Sequence, residues 1–387
     1  MLAALTFSQI CWCQNKKDVP PNPKGPTMGW SSWNSFRVNI DEKLIKEQAD
    51  ALIASGLYDA GYRYINIDDG FFGGRDTNGK LVVNPAKFPS GMKRLVAYIH
   101  SKGLKAGIYS DGGENTCGSM WDNDKNGIGV GLYGHADQDA DFYFKECGFD
   151  FIKVDWCGGE KLKLQPQNVY PDLIARIKAV NLDVVFNICT WKFPGTWAVH
   201  IANSWRVSED IRADFNSVLH IIDIDKNLKQ YTSAGHYNDM DMLQVGRGMS
   251  YEEDKSHFSM WCMLNSPLLA GNDLRNMSKE TIGILTNKEL IALNQDTAFK
   301  QAAMVLSDGN VEVWEKPLAG KKNSNKAIAL FNRGENTVDY TLVSSKINIA
   351  TKAKARDLWQ PADIGKIGEE RTFTIPRHGI VVLKIEE

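Results

Sequence analysis

Four apolar runs of this chain end on charged residues. YRYINID at 62–68 closes on Asp68 with Asp69 next, and FDFIKVDW at 149–156 carries Lys153 and Asp155. NSWRVS at 203–208 carries Arg206, with Glu209 and Asp210 just beyond, and HYNDMDM at 236–242 carries Asp239 and Asp241. Asp and Lys are seldom buried unless paired, so each of these positions is conspicuous. Any one of them is as often a strand-end ion pair or a helix N-cap as a functional group. Acids closing run after run exceed what capping requires. Clustered carboxylates suit cleavage of a glycosidic bond, where one acid is ionised to meet positive charge developing at carbon and another is protonated to supply the leaving oxygen.

Spacing suggests which acid does what. Lys153 and Asp155 are two residues apart, so in extended chain both point to one side, and the ammonium favours an ionised Asp155 suited to nucleophilic attack. Asp210 follows the run on a loop, where partial desolvation raises a carboxyl toward what a general acid needs. Glu209 fits that role nearly as well on spacing alone.

Such residues converge only if the elements carrying them are ordered. Eight short apolar or β-branched runs recur from Thr27 onward, at 27–33, 62–68, 104–110, 149–156, 182–188, 203–208, 236–242 and 266–271. Amphipathic segments separate them. In 41–55, Leu44, Ile45, Ala49, Leu52 and Ile53 share a face behind an Asn39 cap, and 91–102 closes at Gly103. Eight alternations of strand and helix over 26–294 predict an α/β fold, a (β/α)8 TIM barrel, whose active site forms at the C-terminal strand ends. An open doubly wound sheet is the alternative. Over 295–387 the period changes to two in VEVWEKP, KAIALFN, TVDYTLV, RTFTI and GIVVLKI, which predicts a C-terminal antiparallel β-sandwich domain.

Composition excludes other classes. With 45 Lys and Arg against 47 Asp and Glu, no basic field exists to hold nucleic acid. The seven Cys form no CxxC pair, so no metal is implied and no cofactor is expected. Residues 1–13, MLAALTFSQICWC, then polar chain to Gly25, read as the back half of a secretory signal and a lead-in, too short for a membrane span. An exported protein is expected. Nothing in the sequence fixes the oligomeric state.

The motifs PTMGWSSWNSF at 26–36, YINIDDG at 64–70, GIYSDGGENTCG at 107–118, FIKVDWC at 151–157, NSWRVSEDI at 203–211 and GHYNDMDMLQVG at 235–246 resemble family 27 of the glycoside hydrolases. That is the α-galactosidase and α-N-acetylgalactosaminidase family, and the resemblance runs from Pro26 nearly to the C-terminus. It implies a retaining exo-glycosidase with Asp155 as nucleophile and Asp210, not Glu209, as acid/base. It also implies that Trp30, Asp68, Asp69, Tyr109, Lys153, Cys189, Thr190, Arg206, Asp241 and Met242 line the sugar subsite, and that Cys117 pairs with Cys157. The implied partner is a small-molecule or oligosaccharide substrate ending in α-galactose.

Departures from the family pattern bear on specificity. Gly70-Phe71 stands where Cys-Trp is usual, Val38 where a partner cysteine is common, and Trp156 where a small or amide residue follows the nucleophile. Cys189-Thr190-Trp191 replaces Cys-Glu-Trp, removing an acceptor at the sugar's C2, while Phe193 is bulky where an acetamide methyl would need room. Asp68 and Asp69 are expected to accept from the 4- and 6-hydroxyls. α-Galactosidase is therefore the expected activity, with α-N-acetylgalactosaminidase or β-L-arabinopyranosidase as alternatives. An inactive carbohydrate-binding protein would tend to lose Asp155 or Asp210. A sugar-phosphate enzyme would want a phosphate cup after strands 7 and 8, where GRG at 246–248 and AGND at 270–273 are the available glycine segments.

Overall fold

The computed structural model of the protein describes residues 24–320 and 325–386. The signal-like stretch lies outside the described residues. Each apolar run forms a strand: β1 (Met28–Ser31), β2 (Tyr64–Asn66), β3 (Lys105–Asp111), β4 (Phe151–Asp155), β5 (Val185–Ile188), β6 (Ser204–Arg206), β7 (Tyr237–Asp239) and β8 (Leu268–Ala270). All pair in parallel, in the order β8-β1-β2-β3-β4-β5-β6-β7. Strands so placed have core on one side and helices on the other, which is why they are short and nearly all apolar. The ring closes just beyond β7, where Leu243 N donates to Leu269 O at 2.7 Å and Gly271 N donates to Leu243 O at 3.0 Å. A closed ring of eight parallel strands is a TIM barrel, and closure excludes the open sheet.

The helix Glu42–Ala54 buries Ile45, Ala49 and Leu52 but leaves Ile53 exposed. Its cap is Asp41, not Asn39: the Asp41 carboxylate accepts from Leu44 N at 2.7 Å. Asp41 is the last extended residue before the first turn, so its short side chain reaches the free N–H groups, whereas Asn39 stands two residues early. The helix Met92–Ser101 ends as expected, with Gly103 at φ 75°.

The C-terminal strands are β9 (Ala303–Asp308), β10 (Val311–Pro317), β11 (Asn325–Asn332), β12 (Val338–Val343), β13 (Lys354–Asp357), β14 (Ala362–Lys366), β15 (Glu370–Ile375) and β16 (Ile380–Glu386). Six form an antiparallel sheet, β9-β10-β11-β16-β13-β14, and β12 pairs with β15 in a second. Alternation gives the large sheet two apolar faces. Val313, Ile328, Leu330 and Leu383 pack with Leu342 and Ile375 of the small sheet, forming the sandwich. Trp314, Ala329, Phe331 and Val382 join the core of the barrel.

Candidate active site

Side chains along β4 alternate, so Lys153 and Asp155 share the barrel interior. Lys153 Nζ stands 3.4 Å from Asp155 Oδ1 and 3.2 Å from Asp68 Oδ2, with the Tyr109 ring 5.3 Å away. β6 supplies the second cation. Arg206 Nη2 lies 2.8 Å from Asp241 Oδ2 and 3.1 Å from Asp210 Oδ1, so one guanidinium nitrogen links the loops after β6 and β7. Asp241 takes φ 76°, a conformation most L-residues avoid. There it accepts from Met242 N at 2.7 Å and Ile211 N at 2.9 Å, fixing the residue next to Asp210.

Both acids named for catalysis therefore face a cation from their own or a neighbouring strand end. The structure separates Asp210 from Glu209, which spacing could not do. The Glu209 side chain is 75 % exposed and turns to His220 at 3.7 Å, while the half-exposed Asp210 turns to the buried Arg206 at 3.1 Å. Beneath the acids the barrel narrows to a cavity of about 20 Å³, bordered by Asn66, Asp68, Lys153, Asn187, Arg206, Asp239, Asp241 and Met242.

The charges do not fall as spacing suggested. Burial pushes Asp155 up to about 6, against the opposing pull of Lys153, with Asp68 and Asp210 adding to the rise. Desolvation also pushes Asp210 upward, yet Arg206 and Lys153 outweigh it and hold that carboxyl below its ordinary value. The neighbouring charges decide the difference: two cations, Arg206 and Lys153, oppose desolvation at Asp210, whereas at Asp155 Lys153 is the one cation that does so and two like charges add to the rise.

The remaining candidates fall into two groups. Asp68 and Met242 border the cavity. Trp30 is buried nearby, donating from Nε1 to Asn272 O at 2.8 Å, and Arg206 Nη1 lies 3.8 Å from Cys189 Sγ. Asp69 is engaged elsewhere. Its Oδ1 accepts from Gly70 N at 2.8 Å and its Oδ2 from Gly118 N at 2.7 Å, and burial pushes it up to about 7. Thr190 is buried and spends its hydroxyl on Lys192 O at 3.1 Å.

Two residues beyond these shape the site. Asp111, at the end of β3, accepts from Gly113 N at 2.6 Å and Gly158 N at 3.0 Å, drawing together the loops after β3 and β4. Those backbones approach so closely that a Cβ on Gly113 would meet Gly158 C at 2.0 Å. Asp111 closes an apolar run as the other acids do, which was the available signal. Trp191 takes φ 54°, and its side chain helps hold the Asp210 carboxyl below its ordinary value; its aromatic character gave no hint of that. Across the same two loops Cys117 and Cys157 form a disulfide, their Cα atoms 5.3 Å apart. Asp111 lies beside both sulfurs, but sulfurs joined to each other offer no thiolate to a metal.

The family model described as Alpha galactosidase A matches residues 25–296, and that of the Alpha galactosidase C-terminal beta sandwich domain matches 308–385. The chain belongs to family 27 of the glycoside hydrolases. It is 40 % identical to Alpha-galactosidase A of Cellvibrio japonicus, covering 94 % of this chain and 92 % of the relative. It is 41 % identical to Alpha-galactosidase 2 of Arabidopsis thaliana, over 91 % and 87 %. Among solved structures, alpha-galactosidase I from Mortierella vinacea superposes with a TM-score of 0.86 at 33 % identity, covering 94 % of this chain and 97 % of that one.

Within that family the departures have physical explanations. Where a cysteine pair is usual, Gly70 at φ 112° lies against Val38, and a Cβ there would meet Val38 backbone at 2.6 Å. Lys87 Nζ donates to Val38 O at 2.7 Å and Gly70 O at 2.8 Å, joining the same segments without sulfur. Trp156 is buried and packs on Tyr170, ring centroids 5.2 Å apart. Gly112 and Gly159 leave room for it, since a Cβ on either would stand under 3 Å from the indole.

Proposed function

We propose that the protein hydrolyses terminal α-linked D-galactose with net retention, through a covalent galactosyl-enzyme. Asp155 attacks the anomeric carbon, and Asp210 first protonates the leaving oxygen and then deprotonates the incoming water. What carries this reading is the pair of acid–cation couples, Lys153–Asp155 and Arg206–Asp210, on neighbouring rims of one pocket. A sugar ring seated there takes water from the half-exposed Asp210, and that added desolvation is the influence that raises this carboxyl toward the protonated form an acid needs, against the pull of Arg206.

Asp68 is the acceptor best placed for a sugar hydroxyl, while Asp69 holds the loops that frame it. The substrate is a galactoside or an oligosaccharide with a terminal α-galactose. Among the described residues no helix is long and apolar enough to cross a membrane. The apolar N-terminal stretch together with the disulfide supports export to an oxidising compartment. The cavity between the loops after β7 and β8 does not favour the sugar-phosphate alternative, because Asp254, Asp273 and Glu280 line it beside Arg247. Proton NMR of the first-formed product tests the mechanism: α-galactose is expected, and initial release of the β-anomer would exclude double displacement.

A further inference from the structure

The mouth of the barrel carries side chains that bond cleavage itself does not require. Arg37, in the loop after β1, sits at φ 47° and ψ −131°, a conformation that costs free energy in any residue except glycine. Its guanidinium lies 4.7 Å above the Trp33 ring. Both Nε and Nη2 donate to Asp122, the latter at 2.7 Å, which ties the loop after β1 to the loop after β3. Nη1 has no protein acceptor among the described residues, and the Arg37 side chain is half exposed. The loop it clamps reaches the pocket, where Gly118 N donates to Asp69 Oδ2 at 2.7 Å, and Asp210 is among the charges that act on Arg37.

Immediately before Asp122 comes Trp121, the last residue of the helix Cys117–Trp121. The start of that helix is fixed over the pocket by Gly118 N on Asp69 and by the disulfide at Cys117. Trp121 is nevertheless 74 % exposed. One exposed apolar side chain means little by itself. Its position gives it meaning: an anchored indole next in sequence to the Asp122 that clamps a strained arginine with one free donor, at the mouth of the pocket.

We infer that Trp121 and Arg37 form the leaving-group subsite, taking the neutral sugar residue to which the galactose is joined. The inference rests on Asp210 as the acid. The oxygen that Asp210 protonates lies between galactose and leaving group, so the leaving group extends on the solvent side of Asp210. There the indole covers the apolar face of the second ring and Arg37 Nη1 donates to one of its hydroxyls. Arg37 is already neutralised by Asp122, which favours an uncharged sugar over an anionic one.

The test compares kcat/KM on a galactosyl-hexose disaccharide with that on methyl α-galactoside, whose leaving group has no ring. In Trp121→Ala the disaccharide-to-methyl ratio is expected to fall about tenfold, mainly through KM for the disaccharide. Arg37→Gln should lower the same ratio. Because the ratio is internal to each variant, a partly misfolded preparation does not mimic the effect. An unchanged ratio in Trp121→Ala overturns the subsite. Survival of methyl galactoside turnover in Asp210→Ala removes the premise instead, and is read independently of the Trp121 ratio.

Discussion

Lys153 and Asp155 leave one strand two residues apart, and their charged ends meet 3.4 Å from each other inside the barrel. Burial pushes the Asp155 carboxyl up, and Lys153 is the first influence opposing it. Replacing Lys153 by Met removes that opposition. Asp155 then rises above about 6, so less of it is ionised at any given pH near neutrality. The acidic limb of the kcat/KM profile should move to higher pH, and the plateau should fall on the order of 10²-fold. A profile that loses height but keeps its acidic limb would show that Lys153 does not set the charge of Asp155.

Asp155 and Asp210 should differ in how azide rescues them. Asp155→Gly is expected to lose on the order of 10³-fold or more in kcat, and azide should enter at the vacated face to give the galactosyl azide of inverted configuration. Asp210→Ala should give the azide of retained configuration, most visibly with an activated leaving group. Identical azide anomers from the two variants would cancel the assigned roles, and swapped anomers would exchange them.

The two carboxyls are also coupled, which makes a second pH experiment informative. The charge on Asp210 raises Asp155, so in Asp210→Ala the Asp155 carboxyl should fall and ionise at lower pH. With a dinitrophenyl galactoside, which needs no acid for its first step, the acidic limb of kcat/KM should shift downward relative to wild type. An acidic limb that does not move would mean that Asp210 carries no charge in the free enzyme.

Cys117 and Cys157 close a loop with a sequence separation of 40. The chain-entropy model assigns such a loop about 3–4 kcal/mol of stability. The Cys117→Ser, Cys157→Ser double variant should therefore unfold at clearly lower denaturant concentration. In denatured, unreduced protein from its native compartment, Cys147, Cys189 and Cys262 should react with an alkylating agent while Cys117 and Cys157 do not. Alkylation of all five would reject the bridge in that compartment, and with it much of the case for export.

The parts of this site that the sequence revealed are those carried by one strand. Lys153 and Asp155 share a side because a strand alternates, and parallel strands are legible as apolar runs because both of their faces are covered. What needs two strands at once was hidden. Ring closure at Leu243 happens in a loop, and Asp111 gains its role only when Gly113 and Gly158 come together. Depth at Asp155, and the two cations that converge on Asp210 from different strands, were hidden too, which is why spacing gave the wrong direction for both acids. In the C-terminal domain, KARD of β13 and ADIGK of β14 lie at one edge of the sheet with mostly exposed or partly exposed side chains, and polar edge strands look like loops. The exposed strand β9 escaped notice for a similar reason.

Substrate choice depends on what surrounds the ring at C2 and C6. At C6, an acceptor left unpaired in a closed pocket is costly, so β-L-arabinopyranoside, which lacks the hydroxymethyl group, should react more slowly by about 2–3 kcal/mol in the transition state. Asp68 is the residue expected to enforce this, since Asp69 is occupied by Gly70 and Gly118. At C2, Thr190 has turned its hydroxyl to Lys192 O, leaving no charged acceptor of the kind a Glu would supply. Phe193 three residues on is held in place by the Tyr231 ring, stacked at 4.7 Å and 20°, and a side chain so fixed does not yield readily to an acetamide group. kcat/KM should therefore favour the α-galactoside over the α-N-acetylgalactosaminide. Phe193→Ala should narrow that preference by about tenfold through the acetamido sugar. If wild type instead handles the acetamido sugar as well as galactose, Phe193 does not border C2 and the galactose assignment fails.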